Sequence, residues 1–282
     1  MSFSITVKQQ LFDLSSPRVM GILNATPDSF FSGSRMQTEK EIAQRANQIV
    51  EEGGTMIDVG AFSTRPGADQ VSQEEEIIRL RRALAVVRKE QPDAVISVDT
   101  FRPEVAQMCV EEYGADIIND VSDGGLTGIA NVPLKPEPSE LPQMFHTVAR
   151  LGVPYILMSV QPTLRDVLLG FARKVSQLRT LGVKDIILDP GFGFGKDVDQ
   201  NFVLLNEMEK TKVLDLPLLV GVSRKSMIFK TIGGNANTAL NGTTALNAIA
   251  LMKGANILRV HDVKEAVETV TLFNQTISQT TT

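Results

Sequence analysis

The chain has 282 residues, with 28 Lys+Arg against 33 Asp+Glu and a net charge of −5 when histidine is neutral. An apolar fraction of 43 % and a charged fraction of 22 % suit an ordinary globular protein and exclude disorder as the main state. A mildly acidic chain with no basic run is a poor binder of nucleic acid, because neutralising phosphates takes clustered Lys and Arg. No apolar run approaches the roughly 18 residues of a membrane span. The opening MSFSITVKQQLFDL lacks a basic region followed by an apolar core, so no secretory signal is expected. Cys109 is the only cysteine, which excludes an intrachain disulfide and a cysteine-based zinc site, and a reducing cytoplasm is the expected home. Cys109, between Met108 and Val110, has the setting of a buried helix residue.

Along the chain, near-continuous apolar runs recur at 18–24, 55–60, 94–99, 116–120, 154–159, 185–189, 217–222 and 256–260. Such runs are expected of strands covered on both faces in a parallel sheet. Helical spacing fills the gaps, as in EKEIAQRANQIVEEGG, where Ile42, Ala46, Ile49 and Val50 fall on one stripe. Gly53, Gly114, Gly182 and Gly254 follow four helices where a left-handed terminator is wanted. Eight strands alternating with helices predict a (β/α)8 barrel, a TIM barrel occupying residues 1–282 as a single domain. Length alone would suggest two domains of about 150 residues, yet barrels reach about 250 as one unit. A doubly wound open sheet is the rival, but its Gly-rich phosphate turn is missing after the first strand. Residues 1–16 are expected to form a hairpin or extension at the barrel bottom. The stretch 121–142 is expected to be a long irregular connection, and the tail 276–282 is expected to fray.

A barrel of this kind builds its site at the C-terminal ends of its strands. The residues there are Asn24, Gly60, Asp99, Asn119 with Asp120, Ser159, Asp189, Ser223, and Arg259 with His261. A polar residue buried at the barrel mouth costs free energy unless something pairs with it, so their repetition around one ring points to a ligand. Asp99 and Asp189 come from the third and sixth strands with Asn119 between them. Two acids and an amide suit a flat, donor-rich heterocycle. The plainer alternatives are that Asp99 caps the helix starting near Pro103 and that Asp189 braces the glycine loop GFGFGKD (191–197). That loop is no P-loop, since the spacing is wrong and Lys196 precedes Asp197; its glycines let backbone approach a ligand and Phe194 pack on it.

VGVSRKSM (220–227) places Ser223 as a helix cap with Arg224, Lys225 and Ser226 in the first turn. Free N–H groups and two cations there make an anion site. Arg259 and His261 share one face of an extended segment and suit phosphate, unless Arg259 simply pairs with Asp262. His146, in a helical stretch, has the setting of ordinary packing. STRPGA (63–68) brings Arg65 between Thr64 and Pro66, within reach of the same anion. NATPDSFFSGS (24–34) carries Phe30 and Phe31. Both loops are either lids or plain connections.

Taken together and in order, NATPDSF, STRPG, SVDT, INDVS, DPGFGFGK, GVSRKS and RVHDV resemble the dihydropteroate synthase family, over about residues 18–270. The resemblance implies a (β/α)8 barrel, often a homodimer, that condenses 6-hydroxymethyl-7,8-dihydropterin diphosphate with 4-aminobenzoate, assisted by Mg2+, and that sulfonamides target. It implies that Asp99, Asn119, Asp189 and Lys225 hold the pterin with Arg259 stacked on it. It further implies that Thr64, Arg65, Arg259 and His261 bind diphosphate, that Pro66, Phe194, Lys225 and Ser226 surround the aminobenzoate, and that Asn24 ligates the metal. Lys225, Arg259, Asp99 and Asp189 would carry catalysis, through positioning and charge rather than a covalent nucleophile.

The chain departs from that pattern in three places. Ser32 stands where the first loop usually has an acid, Ser159 stands where the fifth strand usually ends in Met-His, and the 121–142 connection is unusual. Two rivals are set aside on residues. A methyltetrahydrofolate methyltransferase-like barrel would lack the SRKS turn, and a non-catalytic pterin-binding homologue would be expected to lose Lys225, Arg259 or His261.

Overall fold

The computed structural model describes residues 3–25, 34–61, 71–122 and 141–278. β1 (Ser4–Val7) and β2 (Gln10–Asp13) form an antiparallel hairpin. Then follow β3 (Arg18–Asn24), α1 (Ser34–Glu51), β4 (Met56–Gly60), α2 (Gln73–Glu90), β5 (Val95–Asp99), α3 (Pro103–Tyr113) and β6 (Ile117–Asp120). The second half runs α4 (Gln143–Leu151), β7 (Tyr155–Met158), α5 (Leu164–Thr180), β8 (Ile186–Asp189), α6 (Val198–Glu207), β9 (Leu219–Val220), α7 (Ser226–Ile232), α8 (Leu240–Met252), β10 (Ile257–Val260) and α9 (Val263–Ser278).

β3 to β10 form one parallel sheet in the order β8-β7-β6-β5-β4-β3-β10-β9. It closes through a parallel bridge between Leu188 and Leu218, with the Leu188 N–H donating to the Pro217 carbonyl at 2.9 Å. This is the (β/α)8 barrel that the alternation predicts. The seventh barrel strand keeps only Leu219–Val220 of its apolar run. Gly53, Gly114, Gly182 and Gly254 all take positive φ, as helix terminators do. Ile42, Ala46 and Ile49 of the α1 stripe are buried, whereas Val50 lies outside it, 38 % exposed. α9 continues to Ser278, so the first three residues of the tail stretch are helical.

Side chains alternate across each strand, so every second residue points into the barrel. The lower interior layer is apolar: Met20, Met56, Ile117, Ile156, Ile187, Leu219 and Ile257 pack together. Two residues further along the same strands the interior turns polar, with Asp58, Asn119, Asp189 and Arg259. The hairpin closes the apolar end. Ile5, Val7 and Leu14 join the lower layer, and the Thr6 N–H donates to Asp185 Oδ2 at 3.0 Å. Its tight turn puts Lys8 and Gln9 at φ 49 and 62, and Lys8 Nζ donates to the carbonyls of Asp93 and Ala94 at 3.0 and 3.2 Å. Ile5→Ala should therefore cost about 2–4 kcal/mol of stability, read as a lower denaturant midpoint.

Candidate active site

Arg259, two residues beyond Ile257 on β10, is set between two acids. Its Nε donates to Asp58 Oδ2 at 2.6 Å and its Nη2 donates to Asp99 Oδ2 at 2.7 Å. Asp58 is fully buried, and Asn119 Nδ2 also donates to its Oδ2, at 3.2 Å. Burial opposes the charge on Arg259, but the Asp58 and Asp99 carboxylates outweigh it and raise the guanidinium pKa. Burial pushes Asp99 up to about 7; Arg259 resists this, while Asp58 and Glu76 reinforce it.

Asp58 Oδ1 and Asn119 Oδ1 are buried and have no hydrogen-bond partner among the described residues. Two unmade acceptors on side chains that touch each other are costly, and they are where donors of a ligand would be satisfied. Asp58 is the functional candidate that sequence reasoning missed. It sits two residues short of the strand end, where attention went to Gly60; the alternation from Met56 would have found it.

Across the mouth, Asp189 accepts from the Gly191 N–H at 2.8 Å, so it does brace the glycine loop. Burial raises its pKa, opposed by Lys225 and by that N–H. Asp99 does not cap α3, whose cap position is Arg102 without a side-chain bond. The GFGFG loop needs its glycines for close approach. Gly191 and Gly195 have φ 72 and 63, and a Cβ at either would run into the carbonyl of Ser159 or of Val160. Lys196 secures the loop by donating to the carbonyls of Ser159, Gly191 and Phe194 at 3.2, 3.1 and 3.1 Å.

Lys225 reaches the same loop. Its Nζ donates to the Phe192 carbonyl and lies 4.5 Å from the centroid of the Phe194 ring, so Phe194 faces a cation here. Burial lowers the Lys225 pKa to about 7, with Asp189 opposing and Arg259 and Lys196 reinforcing.

The SRKS segment differs from its predicted form. Arg224 takes a left-handed turn at φ 55, so Lys225 becomes the cap residue and Ser226 the first residue of α7. Arg224 is a brace rather than an anion ligand: its Nε and Nη2 donate to Asp262 Oδ2 and Oδ1 at 2.8 and 2.6 Å. Asp262 thus pairs with Arg224, not with Arg259. Ser223 does not cap α7; its Oγ lies 3.0 Å from His261 Nδ1. Asn24 ends β3 at the exposed rim, in register with Gly60. His146 lies on the exposed side of α4 instead of packing inward. Thr64, Arg65, Pro66, Phe30, Phe31, Ser32 and residues 123–140 of the long connection lie outside the described residues. The structure therefore brings Asp99, Asn119, Asp189, Arg259 and Lys225 to one end of the barrel, with Phe194 and His261 on the adjoining loops and Ser226 at the start of α7.

A closed parallel barrel with buried acids, a buried amide and half-buried cations at the C-terminal ends of its strands has the architecture of an enzyme for a polar small molecule. Residues 20–261 match the family described as pterin binding enzyme. The dihydropteroate synthase of Escherichia coli strain K12 is 39 % identical over 283 residues, covering 94 % of each chain. A Yersinia pestis dihydropteroate synthase structure with a sulfonamide drug is 33 % identical with a TM-score of 0.84, over 98 % of this chain and all of that one. A Xanthomonas albilineans dihydropteroate synthase structure with 4-aminobenzoic acid is 32 % identical with a TM-score of 0.82, over 98 % of both chains. The chain belongs to the pterin binding enzyme family, alongside the dihydropteroate synthases.

The Lys225 shift makes a stability prediction. The amine titrates near 7 in the folded chain and at 10.5 as a model amine, so the unfolded chain holds the extra proton between those values. The penalty for burying it is complete below pH 7 and fades as the pH rises toward 10.5. Lys225→Met should raise Tm by a few degrees at about pH 6 and by less at about pH 10, while abolishing activity.

Proposed function

We propose that the chain is a transferase that condenses 6-hydroxymethyl-7,8-dihydropterin diphosphate with 4-aminobenzoate, giving 7,8-dihydropteroate and diphosphate. The observation that carries this reading is the partly buried Asp58–Arg259–Asp99 bridge beside the unmade acceptors Asp58 Oδ1 and Asn119 Oδ1. A pterin edge is rich in N–H donors and matches acceptors held in a dry, shaped cup.

In the reaction, the arylamine nitrogen attacks the pterin methylene carbon. The C–O bond to diphosphate breaks with its electron pair on oxygen, and the amine nitrogen releases one proton to solvent. An arylamine is neutral near pH 7 and needs no strong base. Catalysis therefore rests on position and charge. Asp99, Asn119, Asp189 and Lys225 hold the pterin, with Arg259 stacked on it, and Asp99 and Asp189 stabilise positive character at the methylene. Arg259 and His261, with Thr64 and Arg65, receive the diphosphate. Phe194, Lys225 and Ser226, with Pro66, surround the aminobenzoate.

Mg2+ fits the donor chemistry at Asn24, a neutral hard oxygen at the rim, because this ion takes one or two protein oxygens and fills its shell with phosphate and water. When bound, it supplies positive charge to the departing diphosphate. We place the protein in the cytoplasm, in keeping with Cys109 as its one cysteine; no helix among the described residues is long and apolar enough to cross a membrane.

A homodimer is supported by the outer face of α8 and α9. α8 has no charged residue, yet it exposes Ile249 and Met252, beside Leu272 of α9 and a groove of about 290 Å³. Such a face suits burial against a second uncharged face.

Purified protein given both substrates and magnesium should release diphosphate above a buffer control; no release refutes the reading. Lys225→Ala and Arg259→Ala should each lower kcat/KM by on the order of 100-fold or more, and a loss under about threefold would remove that residue from its role. Asp58→Ala should lower kcat/KM by roughly 10-fold or more, because it frees Arg259 on one side. A sulfonamide should compete with 4-aminobenzoate; noncompetitive inhibition would relocate the aminobenzoate pocket.

A further inference from the structure

His261 is gripped on three sides. Its backbone N–H donates to Ser223 Oγ at 3.1 Å, its carbonyl accepts from Arg45 Nη2 at 2.6 Å, and its Nδ1 lies 3.0 Å from the same Ser223 Oγ. Arg45 is itself anchored by donating through Nε to the Ile22 carbonyl of β3 at 3.1 Å. The next residue pair, Arg224 with Asp262, is the bidentate brace described above. Two consecutive residues of the SRKS segment thus lock onto two consecutive residues after β10. The ion pair already holds the two segments together, so the Ser223 hydroxyl is left with a separate task at the ring.

Counting protons defines that task. A serine hydroxyl carries one proton and two lone pairs. The His261 backbone N–H takes one lone pair, and the contact with Nδ1 requires one proton between the two atoms. Were Nδ1 to supply it, Oγ would accept twice and its own proton would need another acceptor. Among the described residues the hydroxyl has no other acceptor, and Ser223 is buried, which makes an unmade bond costly. The hydroxyl therefore donates to Nδ1, and the neutral imidazole carries its proton on Nε2.

We infer that Ser223 is a positioning residue that fixes His261 in the Nε2-protonated tautomer, so that the ring offers an N–H donor rather than a lone pair to the phosphate oxygens of the substrate. This rests on the proposed contact between His261 and the diphosphate. The distinction matters for an anion: a donor attracts its oxygens, whereas a bare ring nitrogen repels them. Arg45 and the Ser223 hydroxyl hold the main chain on either side, so the ring is presented from a fixed backbone.

The chain has only two histidines, and His146 is the exposed one on α4. In the full chain carrying His146→Gln, nitrogen-15 couplings to the ring protons report the His261 tautomer directly at slightly alkaline pH. Protonation at Nε2 is expected; protonation at Nδ1 overturns the inference, with no Ser223 variant needed. Ser223→Ala should convert the ring to a mixture of tautomers and weaken inorganic diphosphate binding by about tenfold in calorimetry. It should raise KM for the pterin substrate more than it lowers kcat. Ser223→Thr, which keeps the hydroxyl, should restore all three readouts. A Ser223→Ala protein with an unchanged tautomer also overturns the inference. Should Nε2 prove protonated while inorganic diphosphate neither shifts the ring signals nor loses affinity in His261→Ala, the diphosphate contact fails and the Ser223 assignment stands.

Discussion

The site depends on one guanidinium suspended between two carboxylates inside a barrel. Arg259 joins β10 to Asp58 on β4 and to Asp99 on β5, spanning β3 in the sheet order. Desolvating any of the three alone would be prohibitive, and together they leave Arg259 firmly charged. The arrangement sets acid and base directly against each other instead of in two separate groups. A ligand that draws Asp99 toward itself must loosen one side of the bridge, and Asp58 keeps the guanidinium in place while that happens.

The opposite wall works by a different balance. Lys225 and Asp189 are both desolvated, each moved toward its neutral form by burial and held back by the other. Lys225 spans the gap to the glycine loop, where only residues without a Cβ let the chain lie against the carbonyls of Ser159 and Val160. Ser159 contributes through that backbone carbonyl, which Lys196 also uses.

The barrel was legible because its strands are near-continuous apolar runs and several of its helices end on glycines, features set by burial on both faces and by backbone conformation. The strand-end rule found Asp99, Asn119 and Asp189 because each stands at or next to the end of its strand, and it found Arg259 near the end of β10 together with His261 just beyond it. It passed over Asp58, which sits inside such a run and is followed by apolar Val59 and by Gly60. The SRKS turn misled for a different reason. A left-handed arginine is rare, and what compels it at Arg224 is the distant Asp262 carboxylate, a tertiary contact that spacing cannot reveal. The pairing of Ser223 with His261 was hidden in the same way, since 38 residues separate them. Val50 left the α1 stripe because a four-residue window at a helix end says little about where the helix meets the sheet.

The hairpin under the barrel seals, among the described residues, the end opposite the polar layer. Ile5, Val7 and Leu14 stopper the narrow end, above which the methionine and isoleucine layer is solid. On the described residues, whatever reaches the polar layer comes and goes by the rim. Of two molecules sharing such a well, the one seated deeper has to arrive earlier, and a late arrival above it blocks its escape until the upper space clears.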